Sequence, residues 1–401
     1  MKRIAVAIAA LFSVNCLADA GGTDLSRAQT LAQEAVIVDT HIDAPFLFLD
    51  KRWTDLSQPA PDREFDYPRA RAGGLDVAFM SIYTSASQDE DDTAWDSANR
   101  QIDVVEALVQ RHPEKFALLR SPRDVEKLRA GGRVLLPLGM ENGAPLGEDL
   151  SQIQFFFDRG VRYITLAHSA NNAMADSSYA REGKWNGLSP LGQKAVAEMN
   201  RLGIMVDVSH LSDASAKAAI ELSRVPVVAT HSAFRHFTPG FQRNIADEEA
   251  IALAKRGGVV QIPFGSAFVN PVAAANTVAY FQAVAEHEKL IAELKAAGKP
   301  LPEEDFGEAW DKAHPRQPTA IETVLDQVDY GKKLIGIDHI GIGSDFDGVD
   351  GNLPEGLKTV ADYPNLIAGL QVRGYSDADI KKLLGENLLR VWRAVEDGAG
   401  K

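Results

Sequence analysis

The sequence predicts an α/β fold of TIM type, a (β/α)8 barrel, and three observations carry that prediction. Short apolar runs rich in Val and Ile alternate with helical patterns along the chain. Six of these runs end abruptly in a residue that can bind a cation: His41 and Asp43 after Val36 to Val38, Glu141 after Val134 to Met140, His168 after Tyr163 to Ala167, His210 after Ile204 to Ser209, His231 after Val225 to Thr230, and Asp345 after Ile340 to Ser344. The chain has only nine histidines, and four of them occupy such ends. A strand buried on both faces has no solvent-facing row for a histidine. A polar residue at its carboxyl end faces a shared mouth instead, where α/β barrels build their sites.

Eight runs read as strands: 36–41, 75–83, 134–140, 161–167, 204–209, 225–230, 258–264 and 340–345. Pro263 lies inside the seventh, which should stop near Ile262, because proline cannot donate to a ladder. The helices between carry start and stop signals. Ser121-Pro122 opens one, and Gly131-Gly132 closes it. Ser189-Pro190 opens another, with Leu191, Ala195, Met199 and Leu202 on one face and Gly203 at its end. Asp247 to Arg256 is a short helix closed by Gly257-Gly258, and Ser376 to Asp379 resembles a capping box. Residues 270–320 break the rhythm. Rich in Ala, Glu and Lys, they read as a solvated helical excursion.

The formal net charge of −14 argues against nucleic-acid partners and anionic membrane surfaces. Lys2 and Arg3 precede an apolar stretch from Ile4 to Phe12, too short to span a bilayer, and Ala18-Asp19-Ala20 is a small-x-small cleavage site. Residues 1–20 are therefore expected to be a signal peptide, and 21–401 a single exported domain, periplasmic or secreted. The alternative is a lipid anchor through Cys16, for which Asn15 is a poor neighbour. Cys16 is the only cysteine. Cleavage after Ala20 leaves none, so a metal would have to take nitrogen and oxygen ligands.

His41-Ile42-Asp43 spaces two ligands at i and i+2, on the same side of an extended chain. Glu141 offers two oxygens and can bridge two cations. His210 and His231 end consecutive strands, which are neighbours in a barrel. The residues thus form two sets, His41/Asp43/Glu141 and Glu141/His210/His231, each leaving a position open for water, as a catalytic zinc site does.

Eight segments, DTHIDAP (39–45), GMENG (139–143), YITLAHSANNAMAD (163–176), MVDVSH (205–210), VVATHS (227–232), RNIAD (243–247), IGIGSDFDGV (340–349) and LLGENLLRVW (383–392), resemble the renal (membrane) dipeptidase family. These are binuclear zinc peptidases on the barrel of the metallo-dependent, amidohydrolase-like hydrolases. The resemblance implies that His41 and Asp43 hold one Zn2+, that His210 and His231 hold the other, and that Glu141 bridges them. It implies that His168 lies by the scissile carbonyl, that Asp345 is the proton-transfer acid/base, and that Arg243 pairs with the substrate's carboxylate. Asp347 is the rival to Asp345. Relatives are commonly homodimers, and some accept a D-residue at the second position. The chain departs from the family pattern at Asn142, where a glycine is usual, at 325–330, where two histidines are common, and at 233–242, which includes His236.

The expected activity is hydrolysis of dipeptides by metal-activated water. Rival readings are a lactonase, phosphotriesterase or deaminase on the same barrel, or a non-catalytic periplasmic binding protein. Many such hydrolases bridge their metals with a carbamylated lysine, and no predicted strand here ends in lysine.

Overall fold

In the computed structural model, which describes residues 25–50, 53–302 and 305–400, ten strands form one parallel sheet. The expected signal peptide and Cys16 lie outside the described residues. The strands are β1 (Ile37–Ile42), β2 (Leu75–Tyr83), β3 (Phe116–Leu118), β4 (Val134–Leu136), β5 (Leu138–Glu141), β6 (Val161–Thr165), β7 (Met205–Asp207), β8 (Val228–Ala229), β9 (Val259–Ile262) and β10 (Ile340–Ile342). Their order runs β1, β2, β5, β6 and onward to β10, with β4 and β3 branching from β2. A parallel bridge between Ile42 and Phe346 joins the two ends of this path. Asp345 N donates to His41 O at 3.1 Å, and Asp43 N to Phe346 O at 2.9 Å. The fold is the α/β barrel the sequence predicts, and all eight expected strands are present.

Two details differ. The expected strand 134–140 is divided at Pro137, which has no N–H to donate. β4 pairs with the first half of β2 (Leu135 against Val77), and β5 with the second half (Leu138 against Met80). β3, which extends the sheet beyond β4, was not expected. The proline-containing strand ends at Ile262, as anticipated.

The strands are buried on both faces. Val38, Phe79, Tyr163, Met205, Val228 and Val259 pack with Leu388, Trp392 and Val395 of the C-terminal helix Asn387–Asp397. Helix ends follow the sequence signals. Ser189 Oγ accepts from Leu191 N and Gly192 N, and Gly203 terminates that helix at φ 81°.

The excursion forms the helices Pro271–Ala296 and Phe306–Ala313. Asn270 caps the first, and Tyr280 packs its ring against Phe306 and Trp310. This segment is not wholly solvated: Phe281 sets its ring 4.8 Å from Tyr179, at the barrel mouth.

Candidate active site

His41 closes β1. Its Nδ1 lies 2.9 Å from Tyr163 Oη, and its Nε2 points to the mouth, 3.4 Å from Asp43 Oδ2 and 3.5 Å from Glu141 Oε2. Tyr163 reaches this place only because residue 139 is glycine, where a Cβ would sit 1.9 Å from its ring. Asp39, two residues before His41, accepts from His41 N, Ser344 N and Tyr363 Oη, tying β1 to the chain after β10.

Glu141 closes β5 and faces two ways. Oε2 looks toward His41, while Oε1 lies 2.9 Å from His210 Nε2 and 3.2 Å from His231 Nε2. Those two nitrogens are 2.9 Å apart. Burial alone would raise the Glu141 carboxyl, but His41 and His168 hold it well below the usual carboxylate range. Burial also holds the imidazoles of His210 and His231 well below their ordinary value, the neutral form a metal ligand needs; Arg243 adds to this for His210 and His41 for His231.

His168 lies just past β6, with its ring 4.0 Å from that of His210 and its Nε2 3.5 Å from Glu141 Oε1. Burial lowers its pKa against the pull of Glu141. Arg243 is buried; Nη2 lies 2.9 Å from both His210 Nε2 and His231 O, Nη1 donates to Ser232 Oγ, and the guanidinium stands over Phe268 at 5.0 Å.

Asp345 sits beyond β10 at φ 66°, and His210 has φ 65°, so both occupy left-handed backbone that is costly outside glycine. Burial pushes the Asp345 carboxyl well above its ordinary value; His41 opposes this, and Asp43 and Glu141 add to it. A Cβ at Gly348 would fall 2.2 Å from Asp43 Oδ2 and 2.5 Å from Asp345 Oδ1, so glycine there leaves these carboxylates their room. Asp347 is spent elsewhere, its carboxylate accepting from Glu64 N and Phe65 N. The structure therefore brings together His41, Asp43, Glu141, His168, His210, His231, Arg243 and Asp345. His236 is apart from them, exposed and stacked on Tyr330 at 4.2 Å.

The residues fit a metal centre. Three overlapping groups have donors within 4.8 Å of one another: His41/Glu141/His231, Glu141/His168/His210 and His41/Asp43/Asp345. They regroup the two sets expected from sequence, with His168 and Asp345 at the margins. His41 Nε2 and Asp43 Oδ1 are buried without a hydrogen-bond partner, a cost that a bound cation would remove. The set is all nitrogen and oxygen.

Sequence reasoning missed Tyr163, Tyr179 and the buried polar pair Asp207 and Thr230. The signal for that pair was present, since each is a polar residue inside an apolar run, MVDVSH and VVATHS.

A barrel with such a donor cluster at the carboxyl ends of its strands places the chain among the metallo-dependent hydrolases. The sequence model of the membrane dipeptidases (peptidase family M19) matches residues 25–401, so the chain belongs to that family and is a hydrolase of the metallo-dipeptidase type. It is similar to dipeptidase ataJ of Aspergillus terreus, 31% identical over 408 residues that cover 94% of this chain and 88% of that one. The probable dipeptidase PvdM from Pseudomonas aeruginosa is 30% identical, with a TM-score of 0.81 over 94% of this chain and 99% of that chain. A metallo peptidase from Rhodobacter sphaeroides, liganded with a phosphinate mimic of the dipeptide L-Ala-D-Ala, shares the fold at 23% identity, with a TM-score of 0.73 over 90% of this chain and 99% of that chain.

Proposed function

We propose that this protein hydrolyses the peptide bond of dipeptides with a free C-terminal carboxylate, D-residues at that position included, on a binuclear zinc centre. His41 and Asp43 would hold one ion, His210 and His231 the other, and Glu141 would bridge them. The observation that carries the reading is the divided Glu141 carboxylate, one oxygen toward His41 and the other toward His210 and His231.

Bound zinc supplies Lewis-acid polarisation of the amide carbonyl and acidifies water. The chain's own groups do the rest. Asp345, just beyond β10 and beside Asp43, takes a proton from water as a carboxylate and delivers it to the amide nitrogen, a poor leaving group until protonated. Neutral His168 donates a ring N–H to the oxyanion as it forms. Arg243 offers a planar fork to the substrate carboxylate. The His210 nitrogen that faces Arg243 has a single lone pair. With His210 holding a cation, Arg243 would have a guanidinium edge for that carboxylate.

The test is metal analysis of purified protein, followed by hydrolysis of Ala-Ala and Gly-D-Ala with and without chelator, beside a panel of lactones, phosphotriesters and nucleosides. Two equivalents of metal and chelator-sensitive dipeptide cleavage are expected. One equivalent, or turnover confined to the panel, refutes the reading. We also infer export from Lys2, Arg3, the apolar core and Ala18-Asp19-Ala20; the mass of the mature N-terminus reads it directly. No helix among the described residues is long and apolar enough to cross a membrane.

A further inference from the structure

The cavity at the donor cluster has a volume of about 400 Å³ and is walled on one side by Tyr179. Tyr179 also lines a second, larger chamber of about 750 Å³ further out, together with Arg243, Phe241, Val278 and Phe281. The two spaces thus share a wall, and the arginine placed at the substrate's carboxylate opens onto the outer one. The Tyr179 ring stands 5.9 Å from that of His210, 6.4 Å from Phe241 and 4.8 Å from Phe281. One tyrosine therefore links the donor cluster to the excursion. Val278 and Phe281 are three apart on the helix Pro271–Ala296, so they share one face of it. Phe281 is 41% exposed, so its ring is open to a ligand in the chamber it lines.

The inner cavity already lies within the size range of a small-molecule site, roughly 300–1,000 Å³. The outer chamber is space that a dipeptide of two small residues would leave to water. Resting on the dipeptidase reading, we propose that the outer chamber is a substrate subsite, and that Val278, Phe281, Tyr179 and Phe241 select dipeptides whose C-terminal residue carries a large aromatic or apolar side chain. Arg243 sets the direction. A carboxylate held there places the side chain of the same residue next to the chamber, and the N-terminal residue on the far side of the scissile bond. The excursion helix is then a specificity wall.

The test uses the metal-loaded full chain with Ala-Ala, Ala-Trp and Trp-Ala. Wild type should show a kcat/KM for Ala-Trp about tenfold or more above that for Ala-Ala, the scale at which apolar pockets discriminate. Val278→Trp narrows the chamber and Phe281→Ala removes its aromatic wall. Each should lower the Ala-Trp to Ala-Ala ratio by about tenfold and leave the Trp-Ala to Ala-Ala ratio far less affected. Ratios untouched by both variants, or a response confined to Trp-Ala, overturn the proposal while leaving the dipeptidase reading standing. Failure of the loaded enzyme to cleave any dipeptide overturns that reading, and this inference with it.

Discussion

Thr230 donates its single hydroxyl hydrogen to Asp207 Oδ2 at 2.7 Å, and the same hydroxyl oxygen lies 2.9 Å from His231 Nδ1. With its hydrogen committed, that oxygen can only accept. His231 therefore carries its proton on Nδ1 and turns the bare lone pair of Nε2 toward Glu141. Asp207 is fully buried and also accepts from Thr165 Oγ1, Ser209 N and Thr230 N, which fixes it as an acceptor.

Thr230→Val keeps the shape of the strand end and removes the acceptor. Hydrogen-bond partners behind a metal-binding histidine are typically worth about 10–100-fold in metal affinity. The variant should lose metal to a competing chelator at correspondingly lower chelator concentration, read as metal retained per chain. Retention equal to wild type would show that the relay does not set the tautomer.

Asp345→Asn should lower kcat by about 10²–10⁴-fold, the usual contribution of a positioned acid/base, with metal content unchanged. Asp347→Asn should behave differently, because the Asp347 carboxylate binds Glu64 N at 2.7 Å and Phe65 N at 3.3 Å. Weakening that clasp should lower Tm and spare most of kcat. If the two variants exchanged these phenotypes, the assignment of Asp345 would be wrong.

The run-end residues were legible because burial on both strand faces leaves polar side chains only one exit, the mouth. The same logic gave the barrel order, since consecutive buried strands pair in sequence. Three things were not legible. β3 is three residues long and is held by β4 rather than by a pattern of its own. Tyr163 under His41 is a contact between residues 122 apart, made by a hydroxyl inside an apolar strand. The contact between Phe281 and Tyr179 depends on how the excursion folds back, and helical periodicity alone does not give its direction. The departure at Asn142 has a local explanation: φ is 83°, a conformation asparagine tolerates better than most residues, and its side chain bonds Thr84 O, Ala144 N and Asn172 Nδ2.

That explanation separates two substitutions. Asn142→Gly keeps the backbone relaxed and loses only the side-chain bonds, at about 1 kcal/mol net for each. Asn142→Ala loses the same bonds and adds the left-handed strain of about 1–2 kcal/mol. Alanine should therefore lower the urea midpoint more than glycine. The reverse order would mean that φ does not select the residue at this position.

Glu64 gives the fold a pH dependence of defined sign. Burial raises its carboxyl from an ordinary 4.5 to about 7, with the Asp347 charge adding, while Glu64 accepts a hydrogen bond from Asp347 N. Burial likewise raises Asp347 to about 6. The folded state thus holds protons that the unfolded chain has already released. Below pH about 4.5 both states are protonated at Glu64 and there is no penalty. As pH climbs from there to about 7 the unfolded state ionises first, and stability falls by up to about 3 kcal/mol from this group. Glu64→Gln cannot ionise, so it should gain on wild type across that window when urea unfolding is measured at pH 4.5, 5.5 and 7. Parallel stability curves for the two proteins would mean that Glu64 ionises as readily folded as unfolded.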